Sequence, residues 1–142
     1  MAHDRATSQP EIWRKAAAFG MHGEEVDGMD VLAVRGATQR AIKRARGGEG
    51  PTLLECLTYR FRGHSLADPD ELRAKQEKEF WSKRDPIKKL SREIIEGGFA
   101  SKDELNNIEK KIDQEITESV KNALEAPDPK SEELTKYIWA ED

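Results

Sequence analysis

Between Tyr59 and Arg73 the sequence runs Tyr-Arg-Phe-Arg-Gly-His-Ser-Leu-Ala-Asp-Pro-Asp-Glu-Leu-Arg. Arg60, Arg62, His64 and Ser65 crowd together here, with Gly63 beside the histidine. A neutral imidazole can pass protons near pH 7. A guanidinium can grip a phosphate or a carboxylate through paired N–H donors. The stretch leaves an apolar run, Thr52 to Leu57, that reads as a buried strand. A loop just past the end of a strand is where α/β proteins often place chemistry on anionic ligands. His64 is therefore the candidate catalytic residue, with Arg60 and Arg62 as candidate anion contacts.

Each of these residues also has a plainer reading. A loop histidine can be a structural or surface residue. Arg60 and Arg62, two apart on the strand exit, can simply pair with local acids such as Asp68 or Asp70. Ser65 lacks the acid–histidine order of a hydrolase and the strand–turn–helix elbow of a serine nucleophile. It reads as a modifiable hydroxyl or as a hydrogen bond that pins the loop. The other histidines, His3 and His22, give no metal-ligand spacing with the single cysteine, so no metal site is expected. No Walker loop and no Gly-x-Gly-x-x-Gly is present. Trp13, Trp81 and Trp139 are widely spaced and read as packing anchors rather than a stacking platform for bases.

The elements that must position the loop follow from periodicity. Pro10 to Ala16 reads as a short helix entered through Ser8 and broken between Gly20 and Gly23, and Glu24 to Gly28 as a weak strand or turn. Asp30 can cap a helix from Val31 to about Arg46, with Val31, Val34, Ala37, Ala41, Ile42 and Ala45 as its apolar stripe and Arg44 largely elsewhere. Gly47 and Gly48 end it as a left-handed cap would, and Pro51 starts a strand over Thr52–Tyr59. Helix, glycine turn and apolar strand make the second half of a βαβ unit, whose parallel sheet needs strands from elsewhere. After the loop the chain is helical: a charged helix from Glu71 to Lys83 anchored by Leu72, Phe80 and Trp81, and one opened by Asp85-Pro86 and closed by Gly97-Gly98. A capping box at Ser101–Glu104 then starts the longest helix, with Leu105, Ile108, Ile112, Ile116, Val120 and Leu124 on one face. Ser131 to Trp139 makes a last short helix.

Bulk properties set the limits. Of 142 residues 36% are hydrophobic and 37% are charged, which suits solvated helices or a piece of an assembly with a shared core. Up to Ser65 there are ten Lys/Arg against eight Asp/Glu; from Leu66 on, fourteen against twenty. Neither half carries the dense basic stripe of a nucleic-acid binder. Cys56, alone and inside the expected strand, reads as a buried thiol in a reducing compartment such as cytosol, stroma or matrix. No run of 18 apolar residues exists, so no membrane span is expected, and Met1 to Arg5 has neither signal nor transit character.

Landmarks along almost the whole chain resemble one family, the alpha subunit of the thiamin-dependent pyruvate dehydrogenase decarboxylase. They are Arg5 to Ser8, Ala18 to Met21, Val26 to Val31, Gly48 to Leu53, Thr58 to Arg73 and Arg84 to Ile87. The form of the histidine loop and the terminal Trp-Ala-Glu-Asp resemble the cyanobacterial and plastid branch. The resemblance implies an α/β fold: the C-terminal part of a thiamin-diphosphate-binding fold (1–69), followed by a helical C-terminal region (70–142). It implies that His64 works at the active centre over thiamin diphosphate and that Arg60 helps hold the loop and the cofactor environment. Ser65 falls on the regulatory phosphorylation position of mitochondrial relatives; a second regulatory serine is replaced within Asp70 to Arg73. The implied partners are a beta subunit and the dihydrolipoyl acetyltransferase, with no nucleic acid and no membrane, in plastid stroma or bacterial cytoplasm. The implied reaction is decarboxylation of pyruvate with acetylation of a lipoyl group. The family holds magnesium and diphosphate with a Gly-Asp-Gly and a later Asn-Asn, and both are expected to lie outside this chain. Two other readings stay open: the alpha subunit of a related 2-oxo acid or acetoin dehydrogenase, and a non-catalytic helical interaction fragment.

Overall fold

The computed structural model describes residues 6–65, 67–68, 73–136 and 138–139. It divides into two compact units, one up to Gly97 and one from Gly98. The expected boundary at 69/70 adjoins residues 69–72, which lie outside the described residues.

The first unit is built on a strand–helix–strand core. Strand β1 is His22–Asp27, helix α1 is Val31–Arg46 and strand β2 is Thr52–Leu57. The strands pair in parallel, with Val26 opposite Cys56, so the whole βαβ unit is present rather than only its second half. A 3-10 helix, Ile12–Phe19, precedes β1 where a helix through Ser8 was expected; its N-terminal flank is Glu11, with no side-chain cap. The helix ends within the expected break, at a left-handed Gly20 (φ 65°), and β1 already begins inside that stretch, so that Gly23 is a strand residue. The two segments pack tightly: a Cβ on Gly23 would stand 2.2 Å from the Trp13 carbonyl oxygen.

The parity of the strands assigns their two faces. Gly23 and Glu55 face the 3-10 helix, where Glu55 Oε2 accepts from the Trp13 N–H at 2.8 Å. Glu24 faces α1, where it pairs with Arg40. Residues two apart on a strand share a face, so the 3-10 helix and α1 cover opposite sides of the sheet. Parallel strands want cover on both faces, and here each face receives one helical element.

Helix α1 starts where the sequence places it. Asp30 Oδ1 accepts from the Leu32 and Ala33 N–H groups, both at 2.9 Å. Its covered stripe is shifted from the expected one. Ala37 is fully buried and Val34 and Ala41 are partly covered, but Val31, Ile42 and Ala45 are exposed. Arg44 joins the covered side and pairs with Glu49 at 3.0 Å. The left-handed residue after the helix is Gly48, at φ 77°, whereas Gly47 stays near φ −78°.

Strand β2 ends at Leu57, two residues short of expectation, and Cys56 is exposed rather than buried. The described sheet has two strands, so β2 lies at an edge, and its last two residues, Cys56 and Leu57, are exposed. The core is correspondingly thin. Ala16, Val26, Met29 and Ala37 are the buried hydrophobic residues among those described.

Helix α2 spans Lys75–Ser82, later than the expected start at Glu71, which lies outside the described residues; Ala74 before it is extended. Helix α3 spans Pro86–Glu96, with Asp85 Oδ1 accepting from the Ile87 N–H at 2.9 Å. Lys89 of α3 pairs with Asp30, which ties α3 to the start of α1. The second unit holds α4, Lys102–Glu125, and a 3-10 turn at Ser131–Thr135 in place of the expected longer helix. Among the described residues no helix is long and apolar enough to cross a membrane.

Candidate active-site loop

The loop leaves the C-terminal end of β2 beside the turn between β1 and α1. The Gly28 N–H donates to the Leu57 carbonyl at 2.9 Å, and a Cβ on Gly28 would lie 2.5 Å from Thr58 Cγ2. The approach is too close for any side chain, so the loop's departure point is fixed against the start of α1.

Two side chains grip the main chain of His64. Asp68 Oδ2 accepts from the His64 N–H at 2.6 Å, and Arg60 Nη2 donates to the His64 carbonyl at 3.1 Å. The Asp68 N–H also donates to the Ser65 carbonyl at 3.2 Å. Gly63 makes room for this arrangement: a Cβ there would sit 2.9 Å from the Asp68 carboxylate carbon. With its backbone held from both sides, His64 stays exposed, as do Arg62 and Ser65. Around His64 the Arg60 cation takes the carbonyl and the Asp68 carboxylate takes the amide; Asp70, the other acid of the plainer pairing reading, lies outside the described residues.

The base of the loop is aromatic. Tyr59 stacks on Trp81 of α2 at 5.2 Å between centroids, and Phe61 meets Tyr59 edge-on at 5.9 Å. Arg73 lies over the Tyr59 ring at 5.2 Å and donates to the Arg60 carbonyl. Arg84 lies over Trp81 at 5.4 Å and pairs with Asp27, the last residue of β1, at 3.0 Å. Loop, α2 and the strand ends thus share one cluster, whose cation–ring contacts each contribute about 0.5–1 kcal/mol when exposed.

The opposite end of the strands looks different. A cavity of about 510 Å³ opens there, lined by His22 and Thr52 at the strand starts and by Glu24, Arg40, Arg44 and Glu49. It does not include the loop. Among the described residues no three of His, Cys, Asp and Glu converge to hold a metal.

A loop with an exposed histidine, two nearby guanidiniums and a fixed backbone, at the C-terminal end of a parallel strand, suits chemistry on an anion. The sequence profile of the dehydrogenase E1 component family matches residues 1–132. The chain belongs to this family. A protein of Porphyra purpurea named pyruvate dehydrogenase E1 component subunit alpha is 57% identical over 141 residues, 99% of this chain and 41% of that protein. The chloroplastic alpha-3 subunit of the same component from Arabidopsis thaliana is 55% identical, over 99% of this chain and 33% of its own length. The testis-specific mitochondrial form of Homo sapiens is 38% identical over 98% of this chain and 36% of its own. The chain therefore spans about a third to two-fifths of the length of these relatives.

The structure adds residues to the E1 loop that sequence reading gave no distinct role. Asp68 was named only as a pairing acid, and its approach to the His64 amide depends on the space Gly63 leaves. Arg73 was only the end of the recognised stretch, and Trp81 only a helix anchor. One sequence reading needs correcting: an Asn-Asn pair does occur, at Asn106–Asn107. It lies in the first turns of α4, in the second unit, as part of a regular helix surface.

Proposed function

We propose that this chain is part of the alpha subunit of the thiamin-dependent enzyme that decarboxylates pyruvate and acetylates the lipoyl group of its acetyltransferase. The observation that carries the reading is similarity of 55–57% over 99% of the chain to proteins named as that subunit. The implied partners are a beta subunit and dihydrolipoyl acetyltransferase, and the implied setting is plastid stroma or bacterial cytoplasm. The domain assignment follows: 1–69 as the end of the cofactor-binding α/β domain and 70–142 as its helical extension.

The donor set of the loop fits thiamin diphosphate. Guanidinium and imidazole groups answer a diphosphate anion. When bound, the cofactor supplies the nucleophilic carbon and the electron sink for loss of carbon dioxide. We assign cofactor contact to Arg60 and His64, and no metal ligand to this chain; magnesium enters the proposal only with the whole enzyme. His64 is the residue that moves a proton, at an exposed imidazole whose backbone cannot swing away while Asp68 and Arg60 hold it. Arg60 has a second duty as that holder. Ser65 is the position at which a phosphate would add up to about two negative charges beside the same cations.

The test is the complete alpha subunit assembled with its partner and supplied with pyruvate and a lipoyl domain. His64→Ala lowers acetyl transfer by about 100- to 10,000-fold, the usual contribution of a general acid–base group. Full retained activity would remove His64 from the mechanism. Pyruvate turnover no better than that of branched 2-oxo acids or acetoin would move the chain to a sister enzyme.

A further inference from the structure

The histidine loop begins and ends on the same support. Tyr59, just before it, is stacked on Trp81 with the two ring planes 7° apart. Arg73, at its far end, lies over that same Tyr59 ring and donates from Nη1 to the carbonyl of Arg60. Arg60 in turn donates to the carbonyl of His64. An unbroken line of contacts therefore runs from α2 through Tyr59, Arg73 and Arg60 to the histidine.

We propose that Arg73 is a positioning residue for His64: it closes the base of the loop and, through the main chain of Arg60, sets where the imidazole stands. The chemistry of the contact requires arginine. A flat guanidinium can lie on a ring and present an in-plane N–H to a carbonyl at once. A lysine keeps the charge and a donor but cannot lie flat on the ring. Losing the contact frees the far end of a loop whose near end stays anchored by Gly28 and Leu57, so the disorder stays inside the loop. The positioning role rests on the reading of His64 as the working imidazole; the closure stands on the contacts alone.

Hydrogen exchange on the complete, cofactor-free subunit tests the closure without any chemistry. In Arg73→Met the peptide carrying the His64 amide exchanges about tenfold faster, the size expected when a local opening loses one charged hydrogen bond and one ring contact. Peptides from β1, α1 and β2 keep their rates, and Arg73→Lys recovers only part of the protection. In the assembled enzyme Arg73→Met lowers kcat about tenfold or more, with the KM for pyruvate within about twofold, because misplacing a catalytic group costs turnover before binding. Unchanged exchange around His64 overturns the proposal. So does a rise spread over β1, α1 and β2, which would make Arg73 a general packing residue. Faster loop exchange with unchanged kcat also overturns the positioning role, and His64→Ala in the same assay then shows whether the reading of His64 has failed with it.

Discussion

Helices α1 and α4 both begin with a side-chain cap and both carry an apolar stripe, yet they rest on different supports. α1 lies on a parallel strand pair, with Ala37 fully buried and Lys89 of α3 holding its capping aspartate. α4 carries its stabilising devices within itself. Its capping box is complete: the Glu104 N–H donates to Ser101 Oγ at 3.3 Å, and Glu104 Oε2 accepts from the Ser101 N–H at 2.8 Å. Pairs one turn apart, Lys111–Glu115 and Lys121–Glu125, line its surface. Beyond the partly covered Leu105, its apolar stripe is half exposed or more, from 50% at Ile112 to 82% at Leu124. A helix of 24 residues can rely on local terms, whereas a 16-residue helix is near the length at which isolated helices are marginal and leans more on packing.

The largest blow to this contrast should come from Gly23. Gly23→Ala pushes a methyl into the Trp13 carbonyl, a main-chain atom that cannot swing aside. It should cost the first unit about 3 kcal/mol, at the upper end of overpacking effects. A denaturant titration followed by hydrogen exchange should show β1 and β2 losing protection while α4 keeps its own. Loss of protection in α4 as well would show that the two units fold as one.

Next in size is the cap of α1. Asp30→Ala removes both the cap and the partner of Lys89, and should cost more than the ~1 kcal/mol of a cap alone. Asp30→Asn keeps the cap and drops only the ion pair, so the difference between the two variants in thermal unfolding isolates the cap. Equal losses would mean that the ion pair carries the whole effect.

Acid should separate the two caps. The Lys89 ammonium, helped by the Ala33 and Leu32 N–H groups, holds the Asp30 carboxyl below its ordinary value of 3.8. A carboxyl lowered by folding gives stability that is complete above the ordinary value and is lost as pH falls through the folded one. The same contact raises Lys89 above its ordinary 10.5, so its contribution is complete below that value and is lost as pH rises through the raised one. Glu104 is also lowered, from 4.5, by the Ser101 N–H and hydroxyl, so it too contributes above its ordinary value and loses its effect in acid. Below pH 4, exchange should loosen the α1–α3 contact in the first unit and only the first turn of α4 in the second. An acid-insensitive α1 would contradict the Asp30–Lys89 account.

Ser101→Ala should fray the first turn of α4 for about 1 kcal/mol and leave the first unit untouched, as seen in amide exchange of residues 102–105. The smallest expected effect is Lys121→Ala, about 0.3 kcal/mol of helix stability, fading in high salt. A larger or salt-independent loss would show that the pair belongs to a packed surface rather than a solvated one.

The boundaries of α1, α3 and α4 were legible because their signals are local: Asp30, the Asp85-Pro86 step and the Ser101–Glu104 box satisfy N–H groups within three residues. The loop was legible as a string of residue types, since two arginines, a glycine and a histidine beyond an apolar run carry their chemistry in their names. Its mechanics were not. That Asp68 takes the His64 amide, that Arg60 takes its carbonyl, and that Arg73 returns to Tyr59 all depend on a fold-back of the chain that no period or propensity encodes. The errors share this origin. Cys56 was expected to be buried because its neighbours are apolar, but burial depends on what lies over each position of a strand: Val26 is covered, while Cys56, paired with it, is not. Ile42 and Ala45 were expected in the covered stripe and Arg44 outside it, because a wheel gives the angle between residues but not which arc meets the sheet.

The sequence by itself determined where α1, α3 and α4 begin, which loop holds the reactive groups and which family the landmarks resemble. These rest on interactions between residues a few positions apart, or on residue identity itself. Only the tertiary structure decided that Val26 stands opposite Cys56 in the parallel pair, that Gly23 is the point of closest approach, and that Tyr59, Arg73, Trp81 and Arg84 cluster at the base of the histidine loop. Those facts join residues tens of positions apart, and they arise only when burial and main-chain hydrogen bonding are satisfied together.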